Sequence, residues 1–253
     1  MRLMKKQAKL ILLTRNWFGK VMLLTFSCDD NDLLSIIPGQ FVNVMIPPKL
    51  ARAYSVSFIE KRSDNKIILE LCIEYIEGGK GSEYFKNLEF GDEIEIRYPF
   101  GHFIPTCFNT ENSNSTFDEI TFIATGTGIV PIHFIIRKLV QLITTGNKII
   151  YKKIKLFHGI RKEEEIYYHS RFLEIVEIFS KNQIEFDYEL WISKPSDLYL
   201  GNRGRFTNSM TNYEFSKKSE ILICGNGTAV VEIIEILKNK QVSLDQISFE
   251  RYN

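Results

Sequence analysis

Four consecutive residues, Arg52-Ala53-Tyr54-Ser55, set a cation, an aromatic ring and a hydroxyl side by side in a chain of 253 residues. That set suits a ligand with a phosphate and a flat ring, the guanidinium meeting the anion and the tyrosine lying against the ring. Side chains alternate along an extended strand, so Arg52 and Tyr54 would face one side and Ala53 and Ser55 the other. Tyr54 and Ser55 then reach one flat ring only if it lies edge-on or the strand bends. Two glycine-rich turns could supply phosphate contacts. In Glu77-Gly78-Gly79-Lys80-Gly81-Ser82, the glycines let amides approach an anion, and Ser82 reads as the N-cap of a short helix through Leu88. An ordinary glycine turn has the same composition. In Thr125-Gly126-Thr127-Gly128-Ile129-Val130-Pro131, the turn follows the apolar run Thr121–Ala124 and opens a helix. Open α/β sheets hold pyrophosphates at that place. Pro131 stands where the dinucleotide fingerprint has a third glycine.

Cations recur where later strands should end. Arg161 follows Phe157-His158-Gly159-Ile160, Ser193-Lys194 follow Trp191-Ile192, and Arg203 and Arg205 flank Gly204. Each alone is ordinary solvated surface, but together they fit a phosphorylated ribose. Arg161 occupies a position where units that prefer a free ribose often carry an acid. Glu163-Glu164-Glu165 read as the acidic first turn of a helix. Cys224-Gly225-Asn226 close another apolar strand, and Cys224 is either a buried inert thiol or a group beside a ligand crevice. No histidine or metal spacing makes it a nucleophile. His102 has no adjacent partner residue and reads as a turn histidine.

Two kinds of scaffold must position these groups. Up to Tyr98, short apolar strands are separated by turns: Gln7–Leu13, Lys20–Ser27, Gln40–Ile46, Ala53–Ile59, Lys66–Tyr75 and Glu93–Tyr98. Turn signals fall at Asn16, Asp29–Asp32, Pro38-Gly39, Pro47-Pro48, Ser63–Asn65 and Gly91-Asp92. Six strands without long helices predict an antiparallel barrel over 1–108. The polar run at 109–117 reads as a linker. From 118 to 253, strands alternate with helices: Glu119–Ala124, helix Ile129–Thr144, Tyr151–His158, helix Ile166–Ser180, Glu185–Ile192, Glu220–Cys224, helix Ala229–Lys240 and Ile247–Tyr252. This rhythm predicts a parallel sheet covered on both faces, an α/β domain.

The net charge of +1 gives no basic surplus, so nucleic acid is not an expected partner. The four cysteines, Cys28, Cys72, Cys107 and Cys224, have neither metal nor disulfide-framework spacing. No membrane span or signal peptide is expected, which places the protein in the cytoplasm, with a monomer as the default state. Lys5, Lys6 and Lys9 could meet an acidic partner or simply be solvated.

In order and over nearly the whole chain, these pieces resemble the ferredoxin–NADP reductase family, a flavin-binding antiparallel barrel followed by a nicotinamide-binding α/β domain. Arg52-x-Tyr54-Ser55 looks like its flavin motif, Gly79–Ser82 its flavin pyrophosphate turn, Gly126–Pro131 its nicotinamide loop, and Cys224-Gly225 its cysteine–glycine pair. The resemblance implies FAD held by Arg52, Ala53, Tyr54, Ser55, Gly79, Lys80, Gly81 and Ser82, with Tyr54 against the isoalloxazine and Ser55 near its reactive N5. It implies NAD(P) contacts from Thr125, Gly126, Thr127, Gly128, Cys224, Gly225 and Asn226. Glu250 and Tyr252 resemble the family's C-terminal acid and flavin-shielding aromatic, so Ser55, Cys224, Glu250 and Tyr252 are the expected catalytic set. Asn253 follows Tyr252, whereas many relatives end on the aromatic. Arg161, Ser193, Lys194 and Arg205 match, in charge, relatives that prefer NADPH over NADH. The implied activity is a stand-alone reductase linking NADP(H) to ferredoxin or flavodoxin. The alternative is the reductase component of an oxygenase or other multi-protein redox system.

Overall fold

The computed structural model describes residues 6–108 and 116–252. Its first half is a closed antiparallel barrel of six strands: β1 (Lys6–Phe18), β2 (Val21–Cys28), β3 (Phe41–Ile46), β4 (Leu50–Lys61), β5 (Ile67–Glu74) and β6 (Glu93–Phe100). They close in the order β1-β2-β5-β4-β3-β6. In β1, Leu10 and Leu12 point into the barrel while Ile11 and Leu13 stay partly exposed, which is the alternation of a wall with one dry face. Strands β2 and β5 are apolar on both faces for a different reason. Val21, Leu23 and Cys72 turn outward into the core of the second domain, beside Phe122 and Tyr167. An outward apolar row is thus the footprint of the domain interface. The helix α1 (Lys80–Asn87) seals one side of the barrel with Phe85.

Two sequence expectations change here. Asn16 lies inside β1, not at a turn; the strand absorbs a bulge between Leu12 and Thr14 and reverses instead at Gly19, whose φ of 54° favours glycine. Ser82 is not the N-cap of α1. Gly79 takes that place, and the Ser82 hydroxyl is spent on backbone, donating to the Ile76 carbonyl (2.9 Å) and accepting from the Ile76 amide (3.0 Å).

The second half is a six-stranded parallel sheet ordered β10-β9-β8-β7-β11-β12. Its elements are β7 (Glu119–Thr125), α2 (Ile129–Thr144), β8 (Lys153–Ile160), α3 (His169–Lys181), β9 (Glu185–Ile192), β10 (Asn202–Arg203), α4 (Thr207–Met210), β11 (Ser219–Asn226), α5 (Gly227–Asn239) and β12 (Ile247–Tyr252). The short β10 and α4 carry no apolar period and were not expected from the pattern. The helix expected from Ile166 begins at His169, because Tyr168 sits at φ 65°, and Glu163–Glu165 form a separate short turn. Helix α2, with Gly126–Gly128 before it, has the length and apolar composition of a membrane span. It is instead largely buried between β4 of the barrel and β7 and β11 of the sheet.

The domains meet through a buried polar knot. Glu70 on β5 accepts from Ser57 Oγ on β4 (2.8 Å) and Tyr168 Oη (2.9 Å), and pairs with Arg171 on α3 at 3.3 Å. His133 on α2 stacks on Tyr168 with centroids 3.9 Å apart and places Nδ1 3.0 Å from Ser57 Oγ. Burial and the cations Arg171 and Arg137 push the His133 pKa well below its usual value, so the ring is neutral. Away from this interface, Lys6 pairs with Asp32 and Lys9 with Glu93. Lys5, Asn253 and most of the expected linker (109–115) lie outside the described residues.

Candidate active site

Strand β4 is unbroken through Arg52–Ser55, so the expected alternation holds and its two faces do different things. On one face, Arg52 and Tyr54 meet α1. The Tyr54 ring packs edge-on against Phe85 at 5.0 Å, and burial pushes its pKa up to about 12. A Cβ on Gly81 would fall 2.4 Å from Tyr54 Oη and 3.4 Å from Arg52 Cγ, so a glycine is needed for the first turn of α1 to lie against this pair. The amides of Lys80, Gly81 and Ser82, at the first three helical positions, have no intrahelical acceptor, and no side chain caps them. Arg52 donates only to the carbonyl of Ala51 (3.0 Å) and has no ion pair among the described residues. A cation, a ring and an uncapped helix N-terminus therefore converge on one patch of the barrel wall. Those residues fit a flavin dinucleotide, with Arg52 and the α1 amides suited to its pyrophosphate. Ala53 and Lys80 are exposed beside the patch.

On the other face, Ser55 is buried and meets the end of β12. Its hydroxyl lies 3.2 Å from Glu250 Oε1 and 2.8 Å from Tyr252 Oη. Ser55 has one proton; given to Glu250, it leaves the serine oxygen to accept from Tyr252. The result is a directed chain from Tyr252 through Ser55 to Glu250. Burial raises the Glu250 pKa, and the Ser55 bond draws it partly back. Burial also raises the Tyr252 phenol well above its usual range, with Cys224 and Glu250 adding to the shift. Tyr54 and Ser55 thus serve opposite faces of one strand, so a single flat ring touching both must bridge the strand edge.

Cys224, two residues before the end of β11, has no exposure, and burial lifts its thiol well above the usual value. It stays protonated and is no nucleophile as it stands. Gly128 packs beneath it: a Cβ there would meet the Cys224 carbonyl oxygen at 2.0 Å. Gly225, at φ 148°, sits as tightly against Thr125. These glycines let the ends of β7 and β11 pack closely at the switch point of the sheet, where such sheets bind ligands. Asn226 caps α5 by accepting from the Thr228 amide (3.0 Å).

Between the domains, above these strand ends, runs a cleft of about 800 Å³. Thr125, Gly126, Thr127, Arg161, Ser193, Lys194, Arg205, Asn226 and Tyr252 all line it, whereas Gly128, Cys224 and Gly225 lie below its surface. The structure gathers the strand-end cations as a group but treats them unequally. Arg161 and Lys194 have no ion pair among the described residues, while Arg205 is held by Glu232 of α5 at 2.9 Å. Three lining groups carried no sequence signal. Lys20 and Glu74 reach in from the barrel as a pair at 2.5 Å, and Glu232 looks like any exposed helix acid. Two acids expected to open a helix have other tasks: Glu165 accepts from the Arg161 amide (3.1 Å), and Glu163 accepts from Ser196.

Comparison with known proteins agrees with this division of labour. Residues 16–104 match the oxidoreductase FAD-binding domain and residues 122–235 the oxidoreductase NAD-binding domain. Ferredoxin–NADP reductase B of Sorangium cellulosum is 24% identical over 241 residues, covering 91% of each chain. Cytochrome b5 reductase 4 of Xenopus tropicalis is 31% identical over 188 residues, 72% of this chain and 33% of that protein. The chain thus spans about a third of that relative, and about half of several fungal NADH-cytochrome b5 reductases. The crystal structure of Amycolatopsis cytochrome P450 reductase GcoB superposes with a TM-score of 0.79 at 20% identity, over 98% of this chain and 70% of that one. With both domain matches in the order of the barrel and the sheet, the protein is an FAD- and nicotinamide-dinucleotide-binding oxidoreductase and belongs to the ferredoxin–NADP reductase family.

Proposed function

We propose that this reductase exchanges electrons between NADP(H) and a one-electron protein carrier of the ferredoxin or flavodoxin class. The observation that carries the reading is the meeting of Ser55, Glu250 and Tyr252 beside a cleft whose lining includes Arg161 and Lys194, cations with no ion pair among the described residues. Bound FAD would supply the redox chemistry, taking two electrons from the nicotinamide and releasing them singly. The chain's own residues orient and exclude water. Arg52 and the first turn of α1 hold the pyrophosphate, and Tyr54 walls the ring. Thr125, Gly126 and Thr127 hold the nicotinamide dinucleotide, and Tyr252 gives way as the nicotinamide enters. The Ser55–Glu250 pair holds a proton at the buried edge of the site and connects it to the side of β12. Arg161 and Lys194 favour the 2′-phosphate. The preference for NADPH is modest, because a lysine makes no bidentate phosphate contact.

The test is to purify the chain, record a flavin spectrum, and compare NADPH with NADH and ferredoxin with flavodoxin in steady state. A colourless protein that cannot be reconstituted with FAD would sink the reading. A second reading, the reductase component of a multi-protein redox system with a haem acceptor, draws on the 31% identity to a cytochrome b5 reductase. Faster reduction of cytochrome b5 than of ferredoxin would favour it. The proposed location is the cytoplasm, which cell fractionation checks.

A further inference from the structure

The cleft is lined by four cations, and the acids around them divide them into two classes. Lys20 is paired with Glu74, and Arg205 with Glu232, whereas Arg161 and Lys194 have no ion pair among the described residues. The third lining acid, Glu165, is buried and accepts from a backbone amide, so it answers no side-chain cation. The Arg205–Glu232 contact is too exposed to be a staple of the fold. The arginine side chain is 69% accessible and the glutamate 40%, and such pairs add little to stability. Both partners do line the cleft, Arg205 from the β10–α4 turn and Glu232 from α5. Their charges therefore act on whatever enters it.

We propose that Glu232 is a specificity-determining residue of this cleft, tempering its preference for a 2′-phosphorylated ribose by occupying Arg205. This inference rests on the reading that Arg161, Lys194 and Arg205 face the ribose end of the dinucleotide. A phosphate dianion arriving there must either displace the Glu232 carboxylate from Arg205 or lie beside it unneutralised. A ribose with a free 2′-hydroxyl meets neither cost, and can donate to the same carboxylate. Glu232 thus narrows the gap between the two forms of the cofactor. It offsets on α5 part of what Arg161 and Lys194 contribute at the ends of β8 and β9. Discrimination is a difference between two affinities, so a residue that penalises one ligand shifts it as surely as one that attracts the other.

The experiment uses the full chain and two fragments that need no redox chemistry: adenosine 2′,5′-bisphosphate and adenosine 5′-monophosphate, titrated by calorimetry. In Glu232→Gln, the bisphosphate should bind roughly fivefold to tenfold more tightly, the scale of one released charge-assisted contact in a partly screened site. The monophosphate should stay within about twofold. In turnover, KM for NADPH should fall while KM for NADH holds or rises. The gain must pass through the arginine, so it should vanish in the Glu232→Gln/Arg205→Gln double variant, a coupling that a general loosening of α5 would not produce. Arg205→Gln alone should weaken the bisphosphate to about the level of the double variant, since the guanidinium is lost in both. Equal changes for both fragments, or none, in Glu232→Gln would overturn the proposal. Lys194→Gln separates the role of Glu232 from the assignment of the ribose end. If it selectively weakens the bisphosphate while Glu232→Gln does nothing, only the role of Glu232 fails. If neither variant discriminates, the assignment of the ribose end fails with it.

Discussion

Ser55 holds two residues of β12 with one hydroxyl, so its removal does more than delete a hydrogen bond. In Ser55→Ala, Glu250 loses the bond that offsets its burial, and Tyr252 loses its hydrogen bond to the barrel. NADPH oxidation should slow by about tenfold or more while FAD stays bound, because Arg52, Tyr54 and α1 are untouched. Stopped-flow measurement of the variant checks this, and wild-type rates would remove Ser55 from the reaction. Gly81→Ala should do the converse. Its Cβ would push Tyr54 or α1 aside, so FAD should be lost on dilution while the apoprotein loses only about 1 kcal/mol, read by thermal melting. At this scale the sequence was most informative where a residue type announces its chemistry, as in Arg52-x-Tyr54-Ser55. It was silent on Glu232 and Lys20, whose roles come from neighbours distant along the chain. It also misplaced Ser82, whose hydroxyl satisfies the turn at Ile76 and not the helix end.

Among the elements, β11 carries the clearest titration. Glu220, near its start, accepts from the Thr106 amide (3.1 Å), the Thr106 hydroxyl (2.9 Å) and the Tyr151 phenol, tying the turn after the barrel to the base of the sheet. Burial raises its pKa to about 7. A carboxyl raised in the folded state binds its proton more tightly there than in the unfolded chain. Its protonated form therefore favours folding below the ordinary carboxylate pKa, and that contribution is lost as pH rises from about 4.5 through 7. The loss is at most ~3 kcal/mol. Glu220→Gln should flatten this fall, gaining on wild type at pH 8 relative to pH 5 in paired thermal melts. Element types were readable because barrel strands are short and apolar between turn residues, while the sheet strands alternate with helices of 3.6 period. Their ends were less so. Gly19, Tyr168 and the bulge in β1 set where elements stop, and a positive φ at a tyrosine has no signature in residue type.

For the whole molecule, the angle between barrel and sheet decides whether Ser55 and Tyr252 meet, and the Glu70 knot is the polar part of what fixes it. Glu70→Gln removes the charge facing Arg171 and breaks the shared acceptor of Ser57 and Tyr168. It should cost about 2–3 kcal/mol in denaturant unfolding. Turnover with NADPH and NADH should fall together, since the lesion lies behind the site and not in its charge pattern. Unequal losses would argue against a purely geometric role. None of this knot was legible in advance. Ser57, Glu70, His133 and Tyr168 come from four separate stretches of the chain, and only the fold makes them neighbours.

The contact between Ser55 and Tyr252 also has a schedule. The two residues are 197 apart in sequence. At 5–20 residues per second of synthesis, roughly 10–40 s separate their appearance. The barrel can close in that interval, since its six strands pair only with one another. Its wall at Arg52–Ser55 then stands open to free FAD before the strand that covers it has been made. The topology therefore lets the cofactor wall form ahead of the strand that covers it.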